Sequence, residues 1–172
     1  MATKMELRSG ITQQRLMEVL HYDPETGEWM WAATLSARRV TGQAAGGITD
    51  AGYRSIRVNG NLFRAHRLAW LYMTGEWPAE QIDHVNGERS DNRWINLRAA
   101  TEQQNKANTR VSANCKSGVK GVYWNRQRQK WQAKINPNRT QVHLGFFDDI
   151  DKAAEAYASA AKLYFGEFGR AA

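Results

Sequence analysis

The chain has 172 residues with 24 Lys and Arg against 17 Asp and Glu, a formal net charge of +7. That length allows one ordinary domain or two small ones. The single cysteine, Cys115, excludes an intramolecular disulfide and a zinc site built from cysteines, and it suits a reducing cytosol. No stretch approaches the ~18 apolar residues of a membrane span, and the first residues lack the apolar run of a secretory signal. We therefore expect a cytoplasmic protein with no membrane partner.

Positive charge is concentrated towards the C-terminus. Residues 1–115 carry 14 basic and 12 acidic side chains, whereas residues 116–172 carry 10 and 5. Between Gln103 and Phe147 there are nine Lys and Arg and no acid. A solvated surface ordinarily mixes both signs, so this stretch predicts a phosphate-binding surface. The alternative is a basic protein that is merely soluble.

The N-terminal part predicts short elements joined by turns. Thr12 is positioned to cap a helix running to about Leu20. Residues 23–27 have turn chemistry, residues 29–31 form a predicted strand, and the glycines of residues 42–47 predict a loop.

A β-hairpin is predicted next, followed by a helix. Residues 53–58 and 61–64 alternate in polarity around Asn59-Gly60, which is the strongest short-range hairpin signal. Residues 66–73 then predict a buried helix that ends near Gly75.

The middle of the chain predicts the order strand, loop, strand, helix. The strands are residues 81–85 and 93–97, separated by a polar loop at residues 86–91. A capping box at residues 101–104 predicts a helix that runs towards Asn108.

A small polar segment, residues 111–117, is interpreted as an interdomain linker. Beyond it we expect strands at residues 119–124, 130–135 and 141–147, then an alanine-rich helix at residues 150–165 that packs closely on the sheet. The fold class is therefore α+β, with an N-terminal hairpin region.

Side chains suited to phosphodiester hydrolysis cluster in the middle segment. The reaction needs a base for the attacking water and a cation for the developing charge. Asp83 and Asn105 can supply oxygens to a hard ion, and His84 can act as the base, its ring fixed by a carbonyl of the second strand. Neighbouring residues on a strand point to opposite faces, so Asp83 and His84 share a site only if the strand ends or bulges at residues 85–87.

These residues resemble the HNH endonucleases of phages and mobile elements, over about residues 50–110. The resemblance implies a ββα-metal fold. It is carried by residues 82–93, 96–98 and 104–108, and by residues 65–70 and 74–78.

The resemblance implies a role for each matching residue. His84 takes the place of the general base, Asp83 that of the metal-binding acid, and Asn96 that of the asparagine that ties the loop and orients the histidine. Asn105 stands where the wider family often has histidine, which favours Mg²⁺ or Mn²⁺ over Zn²⁺ as the single divalent ion. Asn108 is either an outer ligand or a phosphate contact.

Residues 117–168 resemble an AP2 DNA-binding domain, which implies a three-stranded antiparallel sheet on one helix, with its open face in the DNA major groove. Arginines on such a sheet can read guanine edges, although a hairpin tip can equally leave them solvated. Tyr123, Trp131 and Phe147 are predicted to be core residues. The predicted DNA contacts are Lys120, Trp124, Arg126, Arg128, Lys130, Lys134 and Arg139.

Several residues admit two interpretations. His66 makes either a structural hydrogen bond or a DNA contact, and Asn92 is a candidate loop cap. His21 and His143 are interpreted as structural. Four arginines either extend the DNA footprint or are plain surface charges: Arg38, Arg39, Arg54 and Arg57.

We therefore predict an HNH nuclease domain at residues 1–110, a linker at 111–117 and an AP2-like domain at 118–172. The predicted function is a site-specific, homing-type DNA endonuclease that acts on double-stranded DNA as a monomer or weak dimer, without a small-molecule cofactor. It would act in the host cytoplasm if a phage encodes it. The alternatives are a non-catalytic, sequence-specific DNA-binding regulator and, on charge alone, an RNA-binding protein.

Overall fold

The computed structural model describes residues 10–112 and 114–170, and it divides at Ala100 and Thr101 into two compact units. The first nine residues, Ala113 of the predicted linker and the last two residues lie outside the described part. Within that part the fold is mixed, with four α-helices and small antiparallel sheets.

The first unit contains two helices and seven strands in its described residues, and its strands pair as β1–β2, β3–β4–β5 and β6–β7. Two short strands, β1 and β3, were not predicted; β3 lies in the predicted glycine loop and pairs with β4. The elements are α1 Gln13–Val19, β1 Leu20–Tyr22, β2 Trp29–Trp31, β3 Gly47–Ile48, β4 Arg54–Val58, β5 Asn61–Arg64, α2 Ala65–Thr74, β6 Gln81–His84 and β7 Leu97–Ala100.

The predicted α1, β4–β5 hairpin and α2 are confirmed. Thr12 caps α1 by accepting a hydrogen bond from the backbone of Arg15. Asn59 and Gly60 have φ values of 47° and 82°, as a tight hairpin turn requires. Gly75, at φ 83°, ends α2 in the left-handed conformation that glycine adopts most easily.

The core of the first unit is aromatic and reaches the loop between β6 and β7. Trp29 is fully buried, and its ring stacks on Tyr22 with centroids 4.7 Å apart. The Tyr22 hydroxyl donates a 2.6 Å hydrogen bond to the carbonyl of Asn92. This bond ties the loop to the core.

The predicted second strand, residues 93–97, is wrong in position. Trp94–Asn96 forms a 3-10 turn, and β7 begins only at Leu97. The turn forms because the Asn96 N–H donates back to the carbonyl of Arg93, while the Asn96 carbonyl accepts from the Val85 N–H. The loop is thereby closed before the strand pairing starts.

The second unit comprises a short helix and a three-stranded sheet covered on one side by a longer helix. The predicted capping box is present, with Thr101 and Gln104 bonded reciprocally. Strand β8 begins three residues later than predicted because the chain turns at Gly121, at φ 65°. The elements are α3 Glu102–Asn108, β8 Val122–Asn125, β9 Lys130–Ile135, β10 Val142–Phe147 and α4 Ile150–Phe165.

Two findings bear on the predicted organisation. The unit boundary precedes α3, so this helix groups with the C-terminal sheet. Across the described residues, no helix is long and apolar enough to cross a membrane.

Replacing Gly27 by alanine should destabilise the first unit more than replacing Gly42. Both glycines have positive φ, which costs alanine about 1–2 kcal/mol. A Cβ at Gly27 would also overlap the backbone of Asn92 and Arg93, whereas Gly42 has open space. We expect an additional loss of about 1–3 kcal/mol for Gly27→Ala in denaturant unfolding. Equal losses for the two variants would contradict this close approach.

Removing Arg98 should destabilise the unit through its cross-strand partner. Arg98 lies opposite Asp83, and their side chains are only 14% and 5% exposed. Arg98→Ala removes the cation paired with a buried carboxylate, so we expect about 3 kcal/mol less stability in urea unfolding. The control is Arg15→Ala, whose pair with Glu18 lies at the surface and whose loss should be much smaller. A loss for Arg98→Ala no larger than that of the control would refute the interpretation.

Candidate active site

Asp83 and His84 lie at the end of strand β6, where the chain turns. The strand ends at His84, and the Gly87 N–H donates back to the His84 carbonyl. The predicted condition for a shared site, a strand that ends there, is therefore met. Asp83 and His84 are only 4% and 5% exposed.

Asp83 is held by an arginine of the neighbouring strand. Nε and Nη2 of Arg98 both lie 2.9 Å from Oδ2 of Asp83. A guanidinium that meets one carboxylate oxygen with two nitrogens fixes the orientation of that carboxylate. The sequence indicates Asp83 as a candidate ligand but carries no local signal for this ion pair.

His84 is in an environment that favours the neutral imidazole. Burial lowers the pKa of His84 below its usual value, and the positive charge of Arg89 lowers it further. The side chain of Asn92 and the charges of Asp83 and Asp91 oppose this shift. Because the net effect is a lowered pKa, the ring at neutral pH is able to accept a proton.

Asn96 closes the loop that follows His84. Its Oδ1 accepts from the Asn86 N–H at 3.0 Å, and its Nδ2 donates to the Asp91 carbonyl at 2.8 Å. Asn86 in turn donates to the Asp91 carboxylate at 2.7 Å. Hydrogen bonding from Arg93 is the main cause that lowers the pKa of Asp91 to about 2. The loop is thus fixed from both sides.

Asn92 is more deeply buried than a loop cap requires, at 1% exposed. Its Nδ2 donates to the Ser90 carbonyl at 2.8 Å. Its side chain also acts on His84, where it raises the histidine pKa. Asn92 therefore connects the loop both to the core and to the histidine.

His66 and Tyr53 form an aromatic cluster with His84 that no local sequence pattern predicts. The His66 ring meets His84 edge-on with centroids 5.0 Å apart, and Tyr53 lies 5.4 Å and 6.0 Å from the two histidines. His66 is 7% exposed, and within the described residues its Nδ1 has no hydrogen-bond partner. Burial lowers its pKa well below the usual value. The only sequence signal was its position where a strand enters a helix.

The second predicted metal residue, Asn105, lies on α3 in the second unit, as does the buried Asn108. The described residues contain no cluster of three His, Cys, Asp or Glu side chains suited to a metal. The predicted set of one carboxylate and amide oxygens is chemically suited to a hard ion such as Mg²⁺ or Mn²⁺, which also takes waters and phosphate oxygens. It does not resemble the nitrogen and sulfur ligands of zinc.

The open face of the C-terminal sheet carries aromatic and basic side chains. Tyr123 is 51% exposed, so its predicted place in the core is wrong, and Lys134 Nζ lies 5.0 Å from its ring centre. Arg128 lies 4.5 Å from the ring of Phe146. Trp124, a predicted DNA contact, lies on the opposite face with Val122.

The other core predictions and DNA candidates have defined neighbours. Trp131 and Phe147 are partly buried against the core of the second unit. Lys120 donates to the Ala107 carbonyl at 2.8 Å, and burial lowers its pKa to about 8. Lys130 pairs with Asp148. Arg126 lies in the turn after β8.

A basic groove of about 790 Å³ runs within the second unit, alongside α3 and the sheet. Its lining includes one acid, Glu102, and five cationic side chains. An excess of positive charge in a concave surface raises the local concentration of a polyanion. The cationic residues are Lys106, Arg110, Lys120, Lys134 and Arg139.

Comparison with known proteins supports a nuclease. The chain is 28% identical over 108 residues to Protein 3.8 of Escherichia phage T7, a match over 62% of this chain and 88% of that protein. It is 31% identical over 105 residues to an uncharacterized HNH endonuclease of Acanthamoeba polyphaga mimivirus, over 60% of this chain and 54% of that protein. No solved structure matches the chain significantly.

The segment that contains the candidate active site also matches a protein family. Residues 63–107 match the HNH endonuclease family. That range contains Asp83 and His84 at the end of β6, the loop closed by Asn96, and α3 with Asn105. Residues 63–107 of this chain are therefore an HNH endonuclease domain.

Proposed function

We propose that the protein is a metal-dependent endonuclease that cleaves double-stranded DNA at specific sites, as a homing-type enzyme of a phage or mobile element. The observation that carries the proposal is the buried pair Asp83 and His84 at a strand end. A neutral histidine next to a carboxylate, in a loop closed by Asn96, suits hydrolysis of a phosphodiester.

His84 acts as the general base. Its lowered pKa leaves the ring neutral, so a ring nitrogen can take a proton from a water molecule as that water attacks phosphorus. The side chain of Asn92 acts on the ring and raises its pKa. The resulting imidazolium is stabilised by the nearby charges of Asp83 and Asp91, which favour the protonated form.

Asp83 and Asn105 are the residues that would hold the divalent ion. When bound, a Mg²⁺ or Mn²⁺ ion stabilises negative charge on the phosphate and the leaving oxygen. Arg98 keeps the Asp83 carboxylate oriented by donating to Oδ2. Asn96 is a positioning residue: its hydrogen bonds fix the loop that begins at Val85.

The second unit supplies affinity for DNA, in the manner of an AP2 domain. Its sheet carries Arg128, Lys130 and Lys134 on one side, away from the helix α4 that covers the other. Such a sheet is narrow enough to enter the major groove. The basic groove beside α3 offers further phosphate contacts, through Lys106 and Arg139 among others.

A non-catalytic DNA-binding regulator is the second candidate, and one observation favours it. Asp83 is already paired with Arg98, and a buried ion pair of this kind can be purely structural. In a regulator, His84 and Asn96 would serve only the fold. The two candidates differ in whether His84 is needed for cleavage.

His84→Ala should reduce DNA cleavage about 10²- to 10⁴-fold, because general-base catalysis contributes that much. The assay uses supercoiled plasmid together with DNA that flanks the gene, in Mg²⁺ or Mn²⁺. His21→Ala, at an exposed histidine of β1, is the matched control and should cut like the wild type.

Chelation by EDTA should abolish this cleavage, and added Mg²⁺ should restore it. If wild-type protein binds these DNAs but cuts none of them, the regulator is the correct function. Cleavage by His84→Ala at the wild-type rate would remove His84 from the mechanism.

Removing Arg126 and Arg128 together should weaken DNA binding and reduce its salt dependence. Each lost phosphate contact lowers the slope of log affinity against log salt by about 1. The measurement is fluorescence anisotropy with a short duplex in EDTA. Lys152→Gln with Lys162→Gln, two exposed charges on α4, is the control for net charge. An unchanged slope in the arginine variant would reject their phosphate role.

A further inference from the structure

Two guanidinium groups lie over one aromatic ring beside the candidate base. Cζ of Arg64 is 4.8 Å and Cζ of Arg89 is 5.0 Å from the ring centre of Tyr53. Arg64 comes from the end of β5, whereas Arg89 comes from the loop after β6. Residues far apart in sequence thus bring two positive charges to the same tyrosine.

Both guanidinium groups are held in place by hydrogen bonds. Nη1 of Arg64 donates to the hydroxyls of Thr49 and Ser55, each at 3.1 Å. Nη1 of Arg89 donates to the Ala51 carbonyl at 3.0 Å. A guanidinium stacked on a ring and anchored at one nitrogen keeps its other N–H groups directed along its edge. Those groups are suited to an anion.

These two arginines lack the acidic partner that neighbouring arginines have. Within residues 10–112 and 114–170, neither Arg64 nor Arg89 forms an ion pair. By contrast, Arg54, Arg93 and Arg98 each contact a carboxylate. Two positive charges about 5 Å from one ring centre, with no acid among the described residues paired to either, attract an anionic ligand.

The arginine pair lies within electrostatic reach of the histidines. The ring of Tyr53 is 6.0 Å from that of His84, centre to centre. The charge of Arg89 acts on His84, and that of Arg64 acts on His66, in each case disfavouring protonation. An anion bound at the arginines would therefore be close to the candidate base.

We propose that Tyr53, Arg64 and Arg89 form a clamp that binds a backbone phosphate of DNA beside His84. This inference rests on the proposed function and deepens it, because it names the residues that present the DNA strand to the base. Arginine suits this task since its planar edge can donate two parallel hydrogen bonds to one phosphate. Tyr53 sets the plane of both guanidinium groups.

The principal test is the salt dependence of DNA affinity for Arg89→Gln. Because Arg89 is exposed, this variant should fold normally, which a circular dichroism melt would verify. Binding to a short fluorescent duplex in EDTA should show a slope of log affinity against log salt that is about 1 smaller than that of the wild type. Arg15→Gln, at an exposed arginine already paired with Glu18, should leave the slope unchanged. An unchanged slope for Arg89→Gln, or an equal decrease in both variants, overturns the clamp.

Two variants of Tyr53 provide a second test in the same binding assay. Tyr53→Phe keeps an aromatic face and should retain the wild-type slope, whereas Tyr53→Leu removes the face and should lower the slope as Arg89→Gln does. A wild-type slope for Tyr53→Leu would show that the ring does not organise the arginines and would overturn the clamp as described.

The binding assay separates this inference from the nuclease proposal, because no cleavage occurs in EDTA. A reduced slope in a protein that cuts no DNA would support the clamp and refute the nuclease. A normal slope in Arg89→Gln, together with His84-dependent cleavage by the wild type, would refute the clamp alone.

Discussion

The closure of the loop between β6 and β7 by Asn96 is the constraint on which the candidate site depends. Through one backbone carbonyl and one side-chain amide, Asn96 bonds to Val85, Asn86 and Asp91. Strand β6 therefore ends at His84, and the buried Asp83 beside it acts on the histidine through its charge. The Tyr22 hydroxyl then connects this loop to the aromatic core.

Burial and charge act together at this strand end. Removing His84 from water disfavours its protonated form, and the paired acids around it only partly oppose that effect. The fixed cations nearby divide into two kinds. Arg98 is committed to Asp83, whereas Arg64 and Arg89 stack on Tyr53 without an acid among the described residues. Arg98 therefore supports the site, whereas Arg64 and Arg89 are suited to bind a polyanionic ligand.

Much of this arrangement could be predicted from the sequence, because its signals are local. The turn at Asn59-Gly60, the capping box at Thr101 and the turn that follows His84 each depend on residues close together in the chain. The 3-10 turn before β7 could not be predicted, since a tertiary contact from Val85 decides it. The aromatic cluster of Tyr53, His66 and His84 could not be predicted either, because it also depends on tertiary contacts. Tyr123 is an aromatic residue of a strand and is therefore expected in the core, yet it lies on the open face of the sheet.

Mn²⁺ binding, measured by electron paramagnetic resonance, tests the central claim most directly. The account predicts one bound ion per chain in the wild-type protein with duplex DNA, and binding that is lost in Asp83→Ala and weakened in Asn105→Ala. Asp50→Ala, at an exposed acid of the same unit, should bind as the wild type does. Wild-type Mn²⁺ binding in Asp83→Ala would contradict the account, because the carboxylate would then serve only its ion pair with Arg98.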